Sequence, residues 1–143
     1  MQNQAARCVK VLSIRQPHAD EIIFGRRKWA ENRTWRTNYR GELYIHASRW
    51  DGPRQKTPGR GVVGAIIGKV KLVDVVDLDE ARNEAEELRL LTRVAKKHGL
   101  ACKAVNFEHV TGPVCFILAE PEALPRPIPA LGKLNLWTFR LPS

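Results

Sequence analysis

Residues 61–78, GVVGAIIGKVKLVDVVDL, form the longest β-type stretch of the chain, and their reading decides the fold. Val and Ile, stiff at χ1, pack well on a pleated surface and favour extended backbone. Eighteen residues are too many for one ordinary straight strand. Glycines at 61, 64 and 68 interrupt the run, and a glycine inside a strand marks a bulge or a sharp bend. A long, bent strand is what a small barrel requires, so the stretch predicts one.

Working outward, residues 41–47 (GELYIHA) alternate as a strand, with Leu43 and Ile45 on one side and Tyr44 and His46 on the other. Residues 48–60, rich in Pro, Gly and charge, read as a surface loop. Residues 10–14 (KVLSI) read as the first strand, after a tail 1–9 expected to be disordered. Pro17 suits the first turn of a helix, Ala19, Ile22 and Ile23 give that helix an apolar side, and Gly25 stops it. Downstream, Asp77 and Glu80 read as a capping pair for a helix over 79–98, with acids early and bases late to match its dipole. Its apolar stripe (Ala81, Ala85, Leu88, Leu91, Ala95) is thin, which puts the helix on the outside. Strands over 114–119 and 134–140 follow, separated by a proline-rich crossing, PEALPRPIPALG. The expectation is an α+β fold, one domain over 10–143, built as a small mixed or antiparallel barrel with flanking helices.

A chain of 143 residues with 43% hydrophobic content fits one ordinary core. It has no apolar run of about 18 residues, so no membrane span is expected. Its first residues, MQNQAARCVKV, lack the apolar core of a signal peptide. Cys8, Cys102 and Cys115 form no CxxC pair and fit a reducing compartment, so a cytoplasmic location is expected. The net charge of +9 is uneven: residues 1–60 hold 13 basic and 5 acidic side chains, the remainder 11 and 10. That asymmetry suits an anion-binding face.

Residues 25–41, GRRKWAENRTWRTNYRG, concentrate the excess. Six cations (Arg26, Arg27, Lys28, Arg33, Arg36, Arg40) stand beside one carboxylate, Glu31, and three aromatics, Trp29, Trp35 and Tyr39. One Glu cannot pair six buried cations, so the stretch is a poor core. It suits a solvated basic face, or a surface for a polyanion with flat bases, where cations meet phosphates and aromatic planes stack.

Together, SIRQPHADEIIFG, KWAENRTWRTNYRGELYIHAS, GVVGAIIGKVKLVDVV, GPVCFILAEPEAL and GKLNLWTF resemble the ASCH family (activating-signal-cointegrator homology), a branch of the PUA-like β-barrel superfamily. The resemblance runs from about residue 10 to 140. Its most specific piece is the signature Gly-x-Lys-x-x-Glu-x-Arg. Lys28, Glu31 and Arg33 keep its spacing, whereas Gly25 lies one residue too far upstream. The resemblance implies a cleft between barrel and first helix, lined by the signature, with RNA or modified nucleosides as ligands. In some members it also implies hydrolysis of acetylated cytidine or RNA cleavage. The acetylcytidine-hydrolysing branch resembles Lys-x-x-Thr, with a nucleophilic hydroxyl where this chain has Glu31, which argues against carrying that activity across.

Lys28 and Glu31 are the catalytic candidates, and an ion-pair network that fixes the loop is the competing role. Arg15 and Gln16 end the first strand, where a cleft would open; Gln16 reads either as a base-edge reader or as a helix cap. Trp35 and Tyr39 are the stacking candidates, with core packing as their other role. Arg33, Arg36 and Arg40 are cationic candidates, the last two for phosphate because the guanidinium fork matches phosphate oxygens. His46 and Ser48 leave the strand after Tyr44 towards the same cleft. His98, Cys102, His109 and Cys115 match no usual zinc spacing, so no metal or cofactor is expected. The functional expectation is an RNA-binding module, with RNA or a nucleotide-like ligand, and possible DNA, as partner and no membrane. The alternatives are a small metal-independent hydrolase of a modified nucleoside or RNA, and an interaction module for an acidic protein.

Overall fold

The computed structural model describes residues 7–25, 28–100 and 113–142. Strands β1 (Cys8–Gln16), β2 (Ala30–Arg33), β3 (Gly41–Trp50), β4 (Ala65–Asp77), β5 (Val114–Pro129) and β6 (Leu136–Arg140) form one sheet in the order β2-β5-β4-β3-β1-β6. β1 and β3 run parallel and the other neighbours antiparallel. Helix α1 (His18–Asp20) continues as a π-helical turn, Glu21–Gly25; helix α2 spans Glu84–Lys97. The α+β class with a mixed sheet is thus present.

The expected barrel is not closed. Among the described residues β2, four residues long, pairs only with the first part of β5, and β6, five residues long, pairs only with Cys8 to Leu12 of β1. Too short to reach one another, these edge strands share no ladder. Where β6 stops covering β1, the Arg33 guanidinium at the end of β2 donates to the Ser13 carbonyl at 2.9 Å. A side chain therefore spans the seam that a barrel would zip with backbone.

Within the stretch 61–78, extended backbone begins at Ala65, because Gly61 (φ 66°) and Gly64 (φ 72°) take left-handed conformations. The pairing with β5 shifts register between Ile66 and Gly68, which marks a bulge there. A Cβ at Gly68 would lie 2.7 Å from both the Glu122 carbonyl and Ile23 Cγ2, so glycine lets the first helical segment pack onto the bent sheet. The bend read from the glycines is present without the closure.

Four other boundaries differ from expectation. The helix expected over 79–98 starts at Glu84: Asp77 accepts from Asp79 N to cap a separate short turn, Leu78–Glu80. Asn83 then caps α2, its Oδ1 accepting from Glu86 N at 3.0 Å while Glu86 accepts from Arg82 N at 2.8 Å. The proline-rich crossing continues as strand β5 to Pro129. Beyond Ile117 that strand has only β4 as a neighbour, and a strand with one open edge tolerates prolines. β1 begins at Cys8, inside the tail expected to be disordered, and β3 runs on to Trp50, into the expected loop.

The core lies on both sheet faces. Leu12, Ile14, Leu43, Ile45, Val70, Leu72, Phe116 and Leu118 pack with Ala19, Ile22 and Ile23 of the first helical segment. On the other side Leu91, Val94 and Ala95 of α2 cover Val76, Leu78, Cys115 and Ile117, with Trp29 in the same cluster. The buried stripe of α2 therefore takes Val94 in place of the expected Ala85 and Leu88, the latter being 44% exposed.

Candidate nucleic-acid interface

The open seam gives onto a cleft of about 830 Å³. β1 contributes Ser13 and Arg15, β2 Glu31 and Arg33, β3 His46, Ser48 and Arg49, and the loop into β6 contributes residues 130–135. Trp35 and Asp51 complete two further sides.

The floor is built by strand register, which places Ser13 of β1 directly beside His46 of β3. His46 Nε2 lies 2.7 Å from the Ala130 carbonyl. A carbonyl only accepts, so Nε2 carries the proton that bonds it, on the other side of the ring from Nδ1. That Nδ1 is buried and has no hydrogen-bond partner among the described residues. Trp137 Nε1 donates to Ser13 Oγ at 3.1 Å, and its ring meets His46 edge-on at 5.6 Å. The serine proton is then directed away from Trp137. Gly132 closes over this pair: a Cβ there would be 2.8 Å from His46 Cε1 and 3.1 Å from Ser13 Oγ.

The Lys-x-x-Glu-x-Arg trio forms a single network. Arg33 Nη1 donates to Glu31 Oε1 at 2.9 Å and to the Asn32 carbonyl at 2.7 Å, while Nη2 reaches Ser13. Lys28 Nζ lies 3.8 Å from Glu31 Oε2. Glu31, 8% exposed, is thus held between two cations. Trp35 packs edge-on against Phe116 at 5.1 Å, the core role weighed for it, and also lines the cleft. At the rim stand Arg15, 3.7 Å from Asp51, with Arg49 and Lys133.

Of the residues expected at the site, the cleft brings together Arg15, Glu31, Arg33, Trp35, His46 and Ser48. Gln16 lies elsewhere and is fully buried: its Nε2 donates to Asp20 Oδ1 and the Val62 carbonyl, both at 2.9 Å, and its Oε1 accepts from Asp20 N. Asp20 in turn accepts from Thr57 Oγ1 and Gly61 N, so the pair clasps the 51–64 loop to α1. Lys28 lines a separate cavity of about 130 Å³ with Trp29, Leu100 and Glu120. Arg36 pairs with Asp77, and Arg40 donates to the Thr37 and Tyr39 carbonyls. The Tyr39 hydroxyl donates to the Glu42 carbonyl; burial first, and the Glu42 carboxylate second, raise its pKa. Residues 36–40 therefore satisfy themselves away from the cleft. Of the zinc candidates, Cys102 and His109 lie outside the described residues, His98 contacts Asp74 at 3.0 Å, and burial pushes the Cys115 thiol up to about 12.

Sequence reasoning missed Arg49, Lys133 and the leucines beside it. Arg49 fell in the expected loop, one residue past the last candidate. Lys133 stands far along the chain, and only the course of β5 carries it back to β1 and β3.

Fold and site together define an α+β domain of PUA-like type with a basic, partly aromatic cleft. A family model described as the ASCH domain matches residues 12–111, and the chain belongs to the ASCH domain family. No curated protein matches the sequence. Among solved structures the chain is similar to ASCH from Zymomonas mobilis, at 20% identity over 84% of this chain and 72% of that one, with a TM-score of 0.44. It is similar too to a mutant form of the ASCH protein from that organism, at 20% identity over 84% and 74% and a TM-score of 0.45. No helix of the described residues is long and apolar enough to cross a membrane.

Proposed function

We propose that the chain binds RNA, as a single strand or a nucleotide-like fragment of one, in the cleft at the seam. The observation that carries this reading is the composition of the cleft: Arg15, Arg49 and Lys133 line it together with the aromatic Trp35. Cations at the rim suit phosphates, and an aromatic plane inside suits a base. The Ser13 hydroxyl lines the cleft with its proton directed away from Trp137, and supplies a donor where a base edge would end. Membership of the ASCH family, with its proposed RNA-binding role, points the same way. The test is titration of a labelled short single-stranded RNA, and its DNA counterpart, with NMR or a soaked crystal locating the contact. Absence of binding at low salt, or contact at residues 36–40 instead of the cleft, would overturn the reading.

Turnover is the less favoured reading. Glu31 occupies the position where the acetylcytidine-hydrolysing branch has a hydroxyl, and its carboxylate is engaged by Arg33 and Lys28. Incubation with acetylated cytidine and with short RNA is expected to leave both intact.

A further inference from the structure

Leu131 is 89% exposed and Leu134 90%, about twice the exposure of any other large hydrophobic residue among those described. One exposed leucine is ordinary; two on a single short loop, beside a cleft, form an apolar patch with polar surroundings. The loop that carries them is firmly anchored. Ala130 N donates to the Gly64 carbonyl at 3.0 Å, the Ala130 carbonyl accepts from His46, and Gly132 is seated against His46 and Ser13. Asn135, at φ 60°, then turns the chain into β6. The anchors hold the two leucines outward with Lys133 between them.

We infer that Leu131 and Leu134 form an apolar arm that covers unstacked bases of a single RNA strand whose phosphates meet Arg15, Arg49 and Lys133. The inference rests on the RNA-binding reading of the same cleft and adds residues that select for single strands. Charge complementarity chooses the occupant. An apolar protein segment would leave Arg49 and Lys133 at the rim without a counter-charge from it, whereas a single strand offers phosphates and flat apolar faces together. A duplex hides its base faces in the stack, so it can meet the cations but not the leucines. A base taken out of its stack is held between aromatic or apolar side chains in enzymes that act on it, so apolar side chains can receive such base faces.

The experiment compares the full chain with its Leu131→Ser, Leu134→Ser double variant, by anisotropy over a range of salt. One probe is a short single-stranded RNA; the other is an abasic oligoribonucleotide with the same number of phosphates. The variant is expected to bind the RNA roughly tenfold more weakly, with the same log–log salt slope, and the abasic strand as the wild type does. At such exposure the serines should leave the melting curve unchanged. A variant that binds RNA like the wild type overturns the arm and leaves the cleft reading standing. Equal loss on both probes also overturns it, because the leucines would then not be reading bases. A wild type that binds neither probe defeats both readings. Self-association of the wild type in sedimentation, relieved by the double variant, would assign the leucines to a second copy of the chain instead.

Discussion

Arg33 and Ser13 meet across the open edge of the sheet, guanidinium Nη2 to carbonyl oxygen at 2.9 Å. The same guanidinium holds Glu31 and the Asn32 carbonyl, so one side chain fixes the end of β2, the free part of β1 and one wall of the cleft. Three acceptors at different angles require the planar fork of arginine; an ammonium cannot serve all three. Arg33→Lys should therefore cost about 1–3 kcal/mol of stability, with Arg33→Ala at or beyond the upper end because Glu31 loses its bonded partner. Equilibrium denaturation measures this. A lysine variant as stable as the wild type would show that the seam is held by something else.

Lys28 and Glu31 make the second test of a structural trio. Their side chains are 19% and 11% exposed, so either one left alone is a poorly solvated charge. Lys28→Ala or Glu31→Ala should cost on the order of 1–3 kcal/mol, and Lys28→Met less than Lys28→Ala, because the methionine keeps the packing of the stem. Melting temperatures that stay fixed, combined with loss of turnover on acetylated cytidine or RNA, would make Lys28 a base or nucleophile instead.

The cleft cations set the salt dependence. Arg15, Arg49 and Lys133 would give about three phosphate contacts, and a single strand then predicts a log–log slope near −2. Arg49→Ala and Lys133→Ala should each flatten it by roughly 0.7, whereas Arg36→Ala, whose guanidinium pairs with Asp77, should leave it unchanged. Fluorescence anisotropy from low to physiological salt reads all three. Flattening by Arg36→Ala in place of the rim variants would move the interface to residues 36–40.

Local patterns carried much of this molecule. The β-type run with its glycines showed a long bent strand, and the charged trio kept together as a network, because Glu31 and Arg33, two apart, share a face of β2 while Lys28, just before the strand, reaches the same carboxylate. The barrel failed for a reason with no local signal: β2 and β6 are short, and strand length at an edge depends on what the partner strands leave uncovered. The proline-rich stretch was misread as a crossing because proline excludes a central strand but not an open edge. The same error hid the cleft's far wall, since the return of residues 130–135 to Ser13 and His46 follows from β5 running on to Pro129. Arg36, Tyr39 and Arg40 looked like ligand contacts by composition, but local carbonyls and Asp77 engage them first.

Cys115 supplies a prediction in pH. Its thiol is buried beneath α2 and its pKa is pushed from 9.0 up to about 12, first by burial; nearby Lys28 lowers it and Glu31 raises it, both more weakly. The sign follows from linkage. Below pH 9 the thiol is protonated in both folded and unfolded chains and gives no pH dependence. As the pH rises past 9 the unfolded chain releases the proton while the folded chain keeps it. The free energy of unfolding should then fall by up to about 1.4 kcal/mol per pH unit, until the pH reaches the folded value near 12. Other side chains also change charge at alkaline pH in the unfolded chain, so the measurement is a difference. Denaturant melts of wild type and Cys115→Ala at pH 8, 9 and 10 should show the wild type losing stability more steeply above pH 9. The alanine variant should start lower, because it leaves a small cavity between the sheet and α2, and the gap should narrow as the pH climbs. Parallel curves across that range would mean that the thiol ionises in the folded protein as readily as in the unfolded one.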